Sequence, residues 1–336
     1  MLDVAIIGAG LMGRWHLATA QSLGARVVAI VDRDIHAATG LARLAPAALT
    51  GTSLAVLGDR PVMAAHVCTP TATHAEIAFA LAAIGVHAFV EKPLAGSASV
   101  TGSVLEAARR AGVQVCPVHQ YAFQPGVERA LIAMRTLGPL HRIDFNICSA
   151  GADRGAISPG DLVNEILPHP ISILQRLMPG APAASLQWAI LRSKPGELLA
   201  TAAHEGVLIS IFVSAHARPT CMNTHIQCGS GSIDINGFHG YAVVNSGDVS
   251  RSAKISAPFM GSLRTLAAAS SNLVGRSLRR EPAYPGLKSL TRLFYAAIAV
   301  RGGAGPPIDS ATILEGAAVR DVLTAEVQDS RRRQAS

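Results

Sequence analysis

The chain has 336 residues, 49% of them hydrophobic and 15% charged, with 29 basic and 22 acidic side chains and a net charge of +7. A single hydrophobic core stops growing near about 250–300 residues, so two domains are expected. No apolar run reaches the roughly 18 residues of a membrane helix, the start Met1-Leu2-Asp3 lacks a basic leader, and the sparse aromatics do not interleave with a basic stripe; membrane spans, secretion and nucleic-acid binding are therefore not expected. The positive balance suits anionic cofactors and small-molecule substrates instead. Cys68, Cys116, Cys148, Cys221 and Cys228 form no C-x-x-C pair and read as reduced thiols of a cytoplasmic protein. His204, His216, His225 and His239 lack metal-ligand spacing, so no metal is expected.

Along the chain, apolar runs at 4–7, 26–31, 64–68, 88–90 and 114–118 read as strands, separated by helical stretches at 11–23, 35–44, 74–84 and 100–111. That alternation implies parallel β-α-β units, and the continuously apolar strands imply helices on both faces. From about Phe123 the rhythm changes. A helix at 126–137 is followed by alternating strands at 141–149, 185–191, 207–214, 224–228, 232–236 and 241–244, with one helix at 162–177 among them. Gly, Pro, Asn and Asp turns between these strands point to an open, mostly antiparallel sheet. The basic, Ser/Ala-rich stretch 251–280 is only weakly periodic, which leaves a surface helix and a mobile cover both open; helices at 287–300 and 311–327 close the chain. The expected fold is α/β: a doubly wound parallel Rossmann sheet over 1–122, and an α+β domain with a large open sheet over 123–336.

Gly8-Ala9-Gly10-Leu11-Met12-Gly13 fits G-x-G-x-x-G where the first strand passes into the first helix. Gly8 permits the tight turn, Gly10 lets the backbone approach a pyrophosphate, and Gly13 allows close helix–strand packing. The helix N-terminus at Leu11 and Met12 then offers free N–H groups to the phosphates. Trp15 and His16 are read as packing residues. Asp32 ends the second strand about 20 residues further on, where an acidic side chain accepts both adenosine ribose hydroxyls and disfavours a 2′-phosphate, so NAD is expected. Arg33 beside it suits adenine stacking or tolerance of NADP; the competing reading of Asp32 is an ordinary turn aspartate.

Two further segments follow: Cys68-Thr69-Pro70-Thr71-Ala72-Thr73-His74 and Val90-Glu91-Lys92-Pro93-Leu94. Strand ends of an open α/β sheet face its ligand crevice, so Thr69, Pro70 and Glu91-Lys92-Pro93 are candidates to line it. With the glycine motif, their order and spacing resemble the Gfo/Idh/MocA oxidoreductases, which include glucose–fructose oxidoreductase and inositol dehydrogenase. That family carries a strand with T-P-x-x-x-H and then a strand ending in E-K-P. The resemblance covers nearly the whole chain. It implies NAD(P)-dependent hydride transfer to or from a hydroxyl or keto carbon of a sugar, cyclitol, sugar nucleotide or secondary metabolite. It also implies a cis Lys92–Pro93 bond, and homodimers or homotetramers built on the C-terminal sheet. Thr69, Pro70, His74, Glu91, Lys92 and Pro93 would meet the cofactor, and Lys92 the reacting oxygen; the competing reading of Lys92 is a surface turn.

In Asn164-Glu165-Ile166-Leu167-Pro168-His169-Pro170, Glu165 and His169 match the family's D-x-x-x-H spacing with Glu for Asp. On one helix they would share a face, but Pro168 and Pro170 put His169 at a kink or a helix start. A histidine titrates near neutrality and suits the hydroxyl proton; Lys92 and His169 both stand as candidates for that transfer. Gln120 falls where many relatives have Asn, and Ala122 where they have Arg, so Gln120, Tyr121, Asn164, Lys92 and His169 are expected to define a less acidic or differently shaped substrate pocket. Tyr284 and Lys288 read as a turn and a helix start before they read as pocket residues. Two alternatives remain open: a glycosidase or lyase that uses tightly held NAD transiently, and a non-catalytic dinucleotide sensor.

Overall fold

The computed structural model describes residues 1–58, 61–149, 158–247, 250–279, 281, 283–299 and 305–334. The chain divides into two compact units: Met1–His119 with Leu287–Ala318, and Gln120–Gly286 with Val319–Ser336. Residues 287–318, placed in the second domain by the sequence reading, thus cluster with the first unit.

In the first unit, β1 (Asp3–Ile7), α1 (Leu11–Ser22), β2 (Arg26–Val31), α2 (Ile35–Ala42), β3 (Leu49–Gly51), β4 (Ala64–Val67), α3 (His74–Ala83), β5 (His87–Val90), α4 (Ala98–Ala111) and β6 (Val115–Pro117) follow in order. The six strands form one parallel sheet in the order β3-β2-β1-β4-β5-β6. Val4, Ala5, Ile6, Ala64, Val67, Ala88 and Phe89 are fully buried along consecutive strand positions, as they must be when helices cover both faces. The short β3 was not legible in the sequence. The helix ends follow local chemistry: the Asp34 carboxylate accepts the His36 N–H at the start of α2, and Ser97 Oγ accepts the Val100 N–H at the start of α4. Because the strand order reverses between β1 and β4, a crevice opens beyond the carboxyl ends of those strands.

The second unit contains α5 (Pro125–Met134), β7 (Leu140–Cys148), α6 (Pro159–Ile166), α7 (Pro168–Leu177), β8 (Ala189–Leu191), β9 (Glu197–His204), β10 (Val207–Ser214), β11 (Cys221–Cys228), β12 (Gly231–Asn236), β13 (Tyr241–Ser246) and α8 (Arg251–Arg279). Two further helices are α9 (Leu287–Ala299), which clusters with the first unit, and α10 (Ser310–Gln334). The seven-stranded sheet runs β13-β12-β11-β7-β10-β9-β8 and is antiparallel except where β7 and β10 pair in parallel.

Several elements differ from expectation. The predicted strand 185–191 is only β8, preceded by a 3₁₀ turn Ala183–Ser185. The unforeseen β9 is rich in Ala and carries little strand propensity, but it pairs residue for residue with β10 across the tight Glu205-Gly206 turn. The single helix expected at 162–177 is two, because Pro168 has no N–H to continue α6. The stretch from 251 is one 29-residue helix; Arg280 and Val300 lie outside the described residues. Among the described residues no helix is long and apolar enough to cross a membrane.

A dinucleotide cleft and two sets of candidate catalytic residues

The crevice of the first unit is a cleft of about 910 Å³, lined among others by Gly8, Gly10, Met12, Asp32, Arg33 and Thr69. Gly8 has a φ of +98°, and a Cβ there would stand 2.7 Å from the Cys68 carbonyl carbon. At Gly13 a Cβ would lie 1.9 Å from the Gly8 carbonyl oxygen, so α1 and the loop touch through bare backbone. Gly10 behaves oppositely: a Cβ there would meet nothing within 4 Å, which leaves its backbone open. Gly10 is also the N-cap of α1, and no side chain caps that end. The first amides of α1 are therefore free for an anionic ligand.

Asp32 organises this loop as well as facing the cleft. Its Oδ2 accepts the Ala9 N–H at 2.7 Å and its Oδ1 the Asp34 N–H at 2.9 Å. A carboxylate has about four acceptor positions, so two remain for ribose hydroxyls. The turn-aspartate reading and the ribose-acceptor reading are thus compatible. Arg33 is exposed beside it.

His74 ties the two strand-end motifs together: its Nδ1 lies 2.8 Å from Pro93 O and its Nε2 2.7 Å from Thr69 O. It is buried and reaches the cleft through the loops it holds. The Lys92–Pro93 peptide is cis. Glu91 is 6% exposed; its Oε2 accepts the Lys92 N–H at 3.2 Å, and its Oε1 lies 3.0 Å from His16 Nε2. Burial pushes the Glu91 carboxyl up, but the His16 hydrogen bond and the Lys92 charge outweigh it and hold the group below the usual carboxylate range. His16, read from sequence as packing, is thus a partner of the E-K-P motif; its position three residues after Gly13 was the available signal.

His119 belongs to none of the sequence motifs. Burial, then the nearby Lys92 charge, push it down to about 4, against a smaller opposing pull from Glu91. Its buried Nδ1 finds no hydrogen-bond partner among the described residues, the condition of a polar atom waiting for a ligand. The open backbone at Gly10, the uncapped helix end and this orphaned nitrogen near Lys92 all fit a dinucleotide.

In the second unit, Tyr121 and His169 come together edge to face, with ring centroids 4.6 Å apart. The 3₁₀ turn Gln120–Phe123 holds Tyr121, and the first turn of α7 holds His169. Gln120 is buried and its Oε1 is unpaired among the described residues. His169 stands at a helix start, one of the two expected placements. Glu165 belongs to α6 and His169 to α7, so the same-helix, i to i+4 geometry is corrected: the Pro168 break separates them. Glu165 is half-buried and Asn164 exposed. Tyr284 occupies a turn at φ 49°.

Fold and cleft together define a Rossmann-type dinucleotide-binding protein with a second α+β unit. Residues 2–119 match the family described as oxidoreductase family, NAD-binding Rossmann fold, GFO_IDH_MocA. The chain is 36% identical over 127 residues to a 4-carboxy-2-hydroxymuconate-6-semialdehyde dehydrogenase of Sphingobium sp., covering 37% of this chain and 40% of that protein. It is 30% identical over 169 residues to inositol 2-dehydrogenase 2 of Saccharopolyspora erythraea, covering 49% of each. The matched stretches thus span half or less of these relatives. In fold, the chain resembles KijD10, a 3-ketoreductase from Actinomadura kijaniata in complex with TDP-benzene and NADP, with a TM-score of 0.73 at 18% identity over 96% of both chains. The match to the Gfo/Idh/MocA oxidoreductases thus lies in the NAD-binding Rossmann domain, residues 2–119.

Proposed function

We propose that this chain is an NAD-dependent oxidoreductase acting on a hydroxyl- or keto-bearing carbon of a sugar, cyclitol, sugar nucleotide or secondary metabolite. The observation that carries this reading is the glycine loop: closed to side chains at Gly8 and Gly13, open at Gly10, and braced by Asp32. The amides of Leu11 and Met12 would hold the pyrophosphate, Asp32 the adenosine ribose, and Thr69, Pro70 and Glu91 the nicotinamide half. When bound, the dinucleotide supplies the hydride acceptor or donor. Lys92 would polarise the substrate oxygen, and His169, oriented by Tyr121, would exchange the hydroxyl proton. Gln120, whose buried oxygen is unpaired among the described residues, is a candidate to meet a substrate hydroxyl, with Asn164 and Glu165 as further polar contributors.

All five cysteines are free, which fits a reducing cytoplasm. The seven-stranded sheet is the proposed surface for homo-oligomerisation. The test is titration of the purified chain with NAD(H) and NADP(H), followed by tryptophan fluorescence. Micromolar NAD(H) binding with weaker NADP(H) binding is expected; binding of neither would overturn the proposal.

A further inference from the structure

Three buried side chains that the proposed chemistry does not use, His16, His66 and Tyr295, form a line of hydrogen bonds ending on Glu91. His16 lies on α1, His66 on β4 and Tyr295 on α9, all in the first unit. His16 Nε2 is 3.0 Å from Glu91 Oε1, His16 Nδ1 is 2.8 Å from His66 Nδ1, and His66 Nε2 is 2.7 Å from the Tyr295 hydroxyl. Both histidines are 0% exposed and Tyr295 is 6% exposed. Phe89 walls the line, its ring centroid 5.2 Å from His66 and 5.7 Å from His16, with Phe294 stacked behind it at 5.0 Å.

The direction of every bond follows from its end. A carboxylate only accepts, so His16 Nε2 carries the hydrogen directed at Glu91. Neutral His16 then has a bare Nδ1, which requires His66 Nδ1–H to donate. His66 Nε2 is bare in turn, and the Tyr295 hydroxyl donates to it. This is the one arrangement of neutral side chains that makes all three bonds. Burial holds His66 well below the usual imidazole range and raises the Tyr295 phenol, so both keep their neutral forms.

We propose that His66 and Tyr295 are positioning residues that fix the tautomer of His16, and through it the charge and aim of Glu91 beside Lys92. The inference rests on the dinucleotide reading only for its functional consequence. The line has a second setting, one proton richer. The Tyr295 proton passes to His66 Nε2, the His66 Nδ1 proton passes to His16 Nδ1, and a solvent proton replaces the one lost by Tyr295. Three N–H or O–H bonds break, three form, and an imidazolium faces the Glu91 carboxylate. The titratable groups that act on Glu91 are His16, Lys92, His119 and Cys68; those that act on His66 are His16 and Tyr295.

The test uses the full chain and needs no substrate. Histidine ¹⁵N NMR at pH 7 is expected to find His16 protonated on Nε2 and His66 on Nδ1. Tyr295→Phe, which keeps the ring, is expected to move the His66 nitrogen shifts. His66→Val is expected to move those of His16, and His66→Asn, whose amide still donates, to restore them. A His66 protonated on Nε2 at pH 7, or His16 shifts indifferent to His66→Val, would overturn the proposal. NADH affinity measured across pH gives the functional arm. In Tyr295→Phe and His66→Val its pH midpoint is expected to shift by about one unit, with His66→Asn close to the parent. Unmoved profiles in folded variants would overturn the control of Glu91. A parent chain that binds no NADH at any pH would sink the dinucleotide reading, and the NMR arm would still decide the line itself.

Discussion

The two units build their candidate residues from different material. In the first, geometry comes from backbone: Gly8 against the Cys68 carbonyl, Gly13 against Gly8, and amides against Asp32. In the second, it comes from side chains: Tyr121 against His169, with two prolines setting where the histidine's helix begins. A backbone contact has no rotamer with which to yield, so the first set tolerates almost no added atom. A side-chain contact can repack, and the second set is where specificity can change without loss of the fold.

The largest effect should come from forcing an atom into the backbone contact. Gly13→Val places carbon against the Gly8 carbonyl and is expected to abolish soluble folded protein. Gly10→Ala should leave the circular dichroism melt unchanged while weakening NAD(H) at least about tenfold, since only the ligand would fill that space. Equal damage from both would break the distinction between structural and ligand-facing glycines.

Next come the proposed chemical groups. Lys92→Ala and His169→Ala should each retain NAD(H) binding, and each should cut the rate with whatever alcohol a screen identifies by about 10²–10⁴-fold. Normal rates in both would remove them from the chemistry. A smaller effect concerns His119. Its folded value of about 4 lies below the ordinary 6.5, so the unfolded chain binds more protons between those values and stability falls as pH drops from 6.5 towards 4. Urea unfolding across that window should be steeper for the parent than for His119→Asn; identical slopes would contradict the burial of this imidazole. The smallest is Ser97→Ala, which removes the cap of α4 and should cost about 1 kcal/mol in the same assay, without altering NAD(H) affinity.

Legibility in the sequence followed the same division. The glycine motif, Thr69-Pro70 and Glu91-Lys92-Pro93 are each contiguous and each follows a strand end; the first two line the cleft. His16 is buried, as its reading as a packing residue implies, but its polar partners, Glu91 and His66, are far away along the chain and leave no local signal. Glu165 and His169 were assigned one helix because spacing alone does not say whether a proline ends a helix or kinks it. The strand β9 was missed because its Ala-rich composition says little until β10 lies alongside it.

What the sequence by itself determined is local: the turn that only glycine can make, the parallel β-α-β rhythm, and the acidic residue at the end of β2. These depend on neighbours in the chain, where steric rules act directly. Only the tertiary structure decided that α9 clusters with the first unit, that Tyr295, His66 and His16 line up on Glu91, and that the half-buried His119 lies near Lys92. Those relations join residues far apart in sequence, and burial there turns weak polar contacts into constraints on which atom carries each proton.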